Sequence, residues 1–146
     1  MPLQEKSNII MDTITAQQRT RNMSRIRSKN TAPELAVRQM LTKSGVRYRL
    51  HLMSLPGKPD ITIARRKTII FINGCFWHQH ENCKRRSMPK TNVGYWHNKL
   101  QRNVDRQQAH ILDLKNQGWK VGIIWECQTK NEARLNDALQ SILHEE

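Results

Sequence analysis

This sequence is short of acids, of aromatics and of long apolar stretches. Its 12 Asp and Glu stand against 25 Lys and Arg, for a net charge of +13. That imbalance favours a polyanionic partner, and nucleic acid is the obvious polyanion. No apolar run approaches the ~20 residues that a membrane-spanning helix needs. The N-terminal residues MPLQEKSNIIMDT contain no signal-peptide apolar segment, so the expected compartment is the cytoplasm. Only three cysteines are present, and an odd number cannot all pair. Free thiols or a metal site fit better than a disulfide framework. No internal repeat and no domain linker appear. A chain of 146 residues reads as one domain able to bury its own core.

The charge that is present is unevenly placed. Arg19, Arg21, Arg25, Arg27 and Lys29 fall within residues 16–30 with no acid among them. Lys84, Arg85, Arg86, Lys90, Lys99, Arg102 and Arg106 face a single acid, Asp105, between residues 84 and 106. The last 21 residues reverse the balance, with five acids and two bases. A one-sided distribution suits a face that neutralises phosphates, with salt-sensitive binding.

Residues 1–16 read as a disordered leader and 17–146 as the functional domain. Within it, 17–30 form a basic arm that is a short helix or orders on binding. Thr31-Ala-Pro-Glu34 has the pattern of a capping box at a helix N-terminus, with the proline in the first turn. The spacing of Val37, Met40 and Leu41 predicts a helix that Gly45 stops. Residues 46–52 alternate strictly, which predicts a half-buried strand with Arg47, Arg49 and His51 on a basic outer side. Residues 60–63 and 68–72 predict two short strands about a turn. Trp96, Leu100, Val104, Ile111 and Leu114 mark a long helix ending at Gly118, followed by a strand over 119–125. Asn131 starts a last helix through Leu135, Leu139, Ile142 and Leu143. The order α-β-β-β-α-β-α favours a mixed sheet with helices on its faces.

Cys75, His80 and Cys83 lie close together, and Cys127 follows a strand end 44 residues later. Three thiols and an imidazole are a tetrahedral zinc ligand set. Residues 74–90 have few apolar anchors, and a metal would staple them. His78 competes with His80 for the fourth position. His80 is the choice here, because His78 adjoins the Phe76-Trp77 pair and better suits a reactive role.

Asp60 follows a proline at the start of an apolar strand, where a charge is expensive unless it has a task. It either satisfies turn amides or holds Mg²⁺, which can bind proteins through only one or two carboxylates. Such an ion polarises a phosphodiester and holds the attacking water. A carbonyl near Ile72-Asn73 could complete the site, and His78 could act as general base or acid. Phe76 and Trp77 either pack on the cysteine loop or wedge between bases, and Met23 is a second wedge candidate. A wedge would select a duplex already weakened by a mismatch.

Six segments together carry a resemblance: Arg21-Asn-Met23-Ser-Arg25-Ile26, Thr31-Ala-Pro-Glu34, Leu55-Pro-Gly-Lys-Pro-Asp60, Phe71-Ile-Asn-Gly-Cys-Phe-Trp-His78, Asn103-Val104 with Arg106, and Trp125-Glu-Cys127. The chain closely resembles the bacterial very-short-patch-repair (Vsr) DNA mismatch endonucleases over residues 17–145. The resemblance implies an α/β fold like the PD-(D/E)xK restriction nucleases. It implies a single-strand nick, with Mg²⁺, 5′ of the thymine in T·G mismatches left by 5-methylcytosine deamination. By matching positions, Asp60 and the Ile72 carbonyl would bind Mg²⁺, with His78 catalytic and Glu34 beside the site. Cys75, His80, Cys83 and Cys127 would bind a structural zinc. Met23, Phe76 and Trp77 would intercalate, and Arg21, Arg25, Lys99 and Asn103 would contact DNA. The implied partners are mismatched duplex DNA, a cytosine-5 methyltransferase and mismatch-repair proteins. A monomer suffices for an asymmetric lesion.

The restriction-nuclease pattern has Glu-x-Lys on the strand after the Pro-Asp; here that strand ends Phe71-Ile72-Asn73, and the repair family also lacks the lysine. The chain departs from the repair family's own pattern at two places. Asn73 stands where some members have histidine. Gln107 stands where the family usually has an aspartate that pairs with the catalytic histidine; a glutamine could still orient that ring but would stabilise its charged form less. Asp105 is on a different helix face. Two alternatives follow: a zinc-containing DNA-binding module without catalysis, and a restriction-like nuclease acting on matched DNA.

Overall fold

The computed structural model describes residues 29–144. Helix α1, Ala32–Lys43, begins where the sequence predicts, with the Thr31 side chain accepting a hydrogen bond from the Glu34 amide. Pro33 occupies the first turn, where its missing N–H leaves no helical bond unmade. Gly45, at φ +73°, ends the helix, its amide returning to Thr42 and that of Val46 to Leu41. A left-handed residue there satisfies the last carbonyls at little steric cost.

Four strands follow: β1, Arg49–Leu50; β2, Ile61–Ile63; β3, Thr68–Asn73; and β4, Lys120–Trp125. They lie side by side in chain order, antiparallel up to β3, with β3 and β4 parallel. Between β3 and β4 runs helix α2, Val93–Asn116, the crossover that a parallel pair requires. Helix α3, Glu132–Leu143, closes the described chain, with Asn131 capping it as the sequence suggests.

The sheet is covered on both sides. Ile70 and Ile124 pack with Val37 and Leu41 of α1 and with Leu135 and Leu139 of α3. The alternate residues Ile69 and Phe71 pack on Leu114 of α2. This explains why β3 reads as a continuous apolar run rather than an alternating one. At Gly122 a Cβ would stand 2.6 Å from Ile142, so α3 lies directly on the β4 backbone.

One expected strand is largely absent. Only Arg49–Leu50 of residues 46–52 pairs, and Leu50 is exposed. The alternation holds through Val46 and Tyr48 and fails at Leu50, next to His51, whose φ of +48° takes it out of extended backbone. His51 therefore does not sit on a basic outer face.

Candidate functional site

Two clusters of side chains that could bind a metal form among the described residues. The first uses Glu34, His51 and Asp60, whose ligand atoms all lie within 4.8 Å of one another. The β2–β3 ladder ends at Ile61 opposite Ile70. Two residues further along β3, the Ile72 amide has no β2 residue opposite it and donates instead to Asp60 Oδ2 at 2.7 Å. In an extended strand a residue's N–H and C=O face the same side, so the Ile72 carbonyl faces the same side as Asp60.

Glu34 is almost wholly buried, and its Oε2 gathers three donors or partners: the Asn30 amide at 3.0 Å, Arg38 at 3.0 Å and His51 Nε2 at 3.1 Å. The first differs from the expected capping box, because the carboxylate reaches back to Asn30 and not to Thr31. His51 is tied twice, since its own amide donates to the Asp60 carbonyl at 3.2 Å. Burial pushes the Asp60 carboxyl up to about 7; the Ile72 amide opposes this, and the charge of Glu34 adds to it. Two acids held this close without a cation destabilise each other's charged forms.

The second cluster is the one anticipated from the cysteines. Cys75, His80, Cys83 and Cys127 place their ligand atoms within 4.8 Å of one another. His80 Nδ1 stands 3.6 Å from Cys75 Sγ and 3.5 Å from Cys127 Sγ. A tetrahedral zinc with ~2.3 Å Zn–S and ~2.0 Å Zn–N bonds has N···S edges of about 3.5 Å, so these four groups fit one ion. Cys127 arrives on a short 3₁₀ turn, Glu126–Lys130, immediately after β4. The His80 ring is fixed by stacking on Trp125, with centroids 4.0 Å apart. Burial pushes the Cys75 thiol up to about 12, helped by the neighbouring Cys127 and Cys83. Burial and then Arg134 lower His80, favouring the neutral imidazole that a metal requires.

His78 belongs to neither cluster. Its amide donates to the Gly74 carbonyl in the turn. Its Nδ1 is buried and has no hydrogen-bond partner among the described residues. Burial lowers its pKa to about 4. Gln107 is not the partner. Its amide exchanges two hydrogen bonds with the buried Asn73 amide, at 2.7 and 2.8 Å. Asp105 is engaged by Gln101.

Phe76 is buried and Trp77 half-buried, and both meet Trp96 of α2 with ring centroids 5.7 and 6.1 Å apart. Lys99 Nζ stands 5.8 Å from the rings of Trp77, Trp96 and Tyr95. The Asn103 side chain donates to the Trp77 carbonyl at 3.5 Å. Lys99 and Asn103 thus share the aromatic end of α2. Met23, Arg21 and Arg25 lie outside the described residues. Two residues of this region escaped sequence reasoning. Trp96 read only as a helix core position. His51 read as solvent-facing; a lone His within an alternating run gives no hint of a backbone reversal.

A family model described as DNA mismatch endonuclease Vsr matches residues 11–85. The type II nicking enzyme V.XorIIP of Xanthomonas oryzae pv. oryzae is 39% identical over 132 residues, 90% of this chain and 96% of that protein. The type II nicking enzyme V.NmeAIP of Neisseria meningitidis is 38% identical over 92% of this chain and 95% of its own. The DNA mismatch endonuclease Vsr of Escherichia coli is 38% identical over 82% of this chain and 76% of its own.

Proposed function

The chain belongs to the DNA mismatch endonuclease Vsr family, and from that premise we propose how its residues nick DNA. It is a strand-nicking nuclease of DNA repair. Its substrate is duplex DNA with a T·G mismatch, arising where 5-methylcytosine deaminates, and the nick falls 5′ of the thymine. The fold is of the PD-(D/E)xK restriction-endonuclease kind, with the usual Glu-x-Lys replaced by Phe71-Ile72-Asn73.

One observation carries the proposal: a raised, half-buried carboxyl, Asp60, held by the Ile72 amide beside the buried Glu34. Such a pair fits a divalent cation better than it fits two protons. Asp60 and the Ile72 carbonyl would hold Mg²⁺, which supplies charge stabilisation to the phosphate and acidity to water. Cys75, His80, Cys83 and Cys127 would hold zinc, fixing the loop that carries Phe76, Trp77 and His78. The low pKa of His78 keeps its ring neutral near pH 7. It can therefore accept a proton, and an approaching phosphate would favour the charged form that results.

Phe76 and Trp77, on a base provided by Trp96, wedge beside the mismatch, and Met23 is a further wedge. Arg21, Arg25, Lys99 and Asn103 contact the duplex. The protein works as a monomer in the cytoplasm, alongside a cytosine-5 methyltransferase and mismatch-repair proteins. No helix among the described residues is long and apolar enough to cross a membrane.

The test is incubation with Mg²⁺ and end-labelled duplexes carrying T·G or its matched pair. A nick confined to the thymine strand of the mismatch, lost in Asp60→Ala, is the expected result. Binding without any nick would instead indicate a DNA-binding module, and cleavage of matched duplex a restriction-like enzyme.

A further inference from the structure

His51 has no role in the chemistry described so far, yet it is built into the Asp60 site. Its Nε2 lies 3.1 Å from Glu34 Oε2, and its amide is bonded to the Asp60 carbonyl. The backbone adopts φ +48° at this residue, a conformation that non-glycine residues seldom take. That reversal turns the ring from the outer face of β1 toward the two carboxylates. The three ligand atoms lie within 4.8 Å of one another, and opposite ligands at ~2.1 Å bonds stand about 4.2 Å apart, so they need close by no more than about 0.6 Å to share one ion.

We infer that His51 is a nitrogen ligand of the hydrolytic cation, and that it ranks first-row transition cations above Mg²⁺ at this site. This rests on the assignment of the cation to Asp60. Mg²⁺ seeks oxygen and gains little from an imidazole, whereas borderline transition ions bind nitrogen well. Glu34 Oε2, fixed by Asn30 and Arg38, stands 3.1 Å from His51 Nε2, close to the separation of about 3.0 Å between adjacent ligands at ~2.1 Å bonds, so the bound ion replaces the hydrogen bond between them. The site is thereby a mixed nitrogen–oxygen set rather than the oxygen-only set that the motif around Asp60 suggests.

His51→Gln discriminates a ligand from a prop. Glutamine can keep the hydrogen bond to Glu34 and offers an oxygen in place of the nitrogen. The probe is Mn²⁺ added to the full-length, zinc-replete protein, because it can be followed by pulsed electron paramagnetic resonance and competes poorly for thiolates. Wild type should show the ¹⁴N coupling of one directly bound imidazole. His51→Gln should lose it and bind Mn²⁺ at least about tenfold more weakly, while its Mg²⁺ affinity, measured by competition, stays unchanged. Mn²⁺ bound through Asp60 but without ¹⁴N coupling, or coupling that survives in His51→Gln, would overturn the inference alone. Equal losses of Mn²⁺ and Mg²⁺ affinity would also overturn it, reducing His51 to a positioning residue. Mn²⁺ binding that is indifferent to Asp60→Asn would overturn the cation site itself, and this inference with it.

Discussion

Gln107 and Asn73 form a closed pair of amides, each donating to the other across the junction of α2 and β3. Both side chains spend their polar groups on one another, and the buried Nδ1 of His78 is left without a partner. Whatever orients that imidazole, Gln107 does not. Replacing Gln107 by Asp should break the pair, since a carboxylate cannot donate to the Asn73 oxygen. The freed carboxylate would favour protonated His78. Nuclear magnetic resonance titration of His78 is expected to show its pKa rise from about 4 toward the ordinary 6.5, with the acidic limb of the nicking profile moving the same way.

Asp60 is kept at a cost to stability. Its folded pKa is raised from 3.8 to about 7, so its contribution is full below 3.8 and is lost as pH rises through 7. His78 runs the other way, its contribution being present above 6.5 and lost as pH falls toward 4. Between these limits the two slopes oppose. Asp60→Asn should therefore abolish nicking yet raise stability at pH 8, by about 1–3 kcal/mol. The gain should shrink toward pH 5, and thermal melts across that range check it.

The thiol cluster should depend on its metal. Three neighbouring thiols with Cys75 pushed up to about 12 cannot all ionise unless a cation compensates them. Elemental analysis is expected to find one zinc per chain in the wild type and none in Cys127→Ser. Its melting temperature should fall by more than one lost core contact would explain, because the loop over residues 74–90 would lose its staple.

Trp96 and Trp77 should separate folding from recognition. Trp96 is 3% exposed and touches Phe76, Trp77 and Tyr95. Trp96→Ala should destabilise by about 3–5 kcal/mol. Trp77 is only half-buried, so Trp77→Ala should melt nearer to wild type but discriminate less between T·G and matched duplexes, as binding competition would show.

Lys99 should act through charge. Lys99→Ala is expected to weaken binding to all duplexes alike and to reduce the slope of log K against log salt by about 0.9. Loss of mismatch preference at unchanged slope would instead mean that Lys99 acts by holding the rings.

The sequence was most legible where patterns were long. The helices α1 and α3 were foreseen from their caps and apolar spacing, and β3 and β4 from their apolar runs. The convergence of Cys75, His80, Cys83 and Cys127 is legible because these residue types have few other uses at that spacing. What failed was local and conformational. Residues 46–52 alternate as a strand should, but no residue type there announces the left-handed turn at His51 that carries the ring inward. The partner of Gln107 was equally hidden, since an amide can bond to an imidazole or to another amide and only packing decides. Trp96 carried the same signal as any buried helix position.

The most direct measurement is a crystal structure of the protein on a T·G duplex with Ca²⁺, which occupies oxygen sites but slows cleavage. Cation density bridging an Asp60 oxygen and the phosphate 5′ of the mismatched thymine is the expected result. A cation bound away from Asp60, or a scissile phosphate out of reach of it, would contradict the assignment of the hydrolytic site.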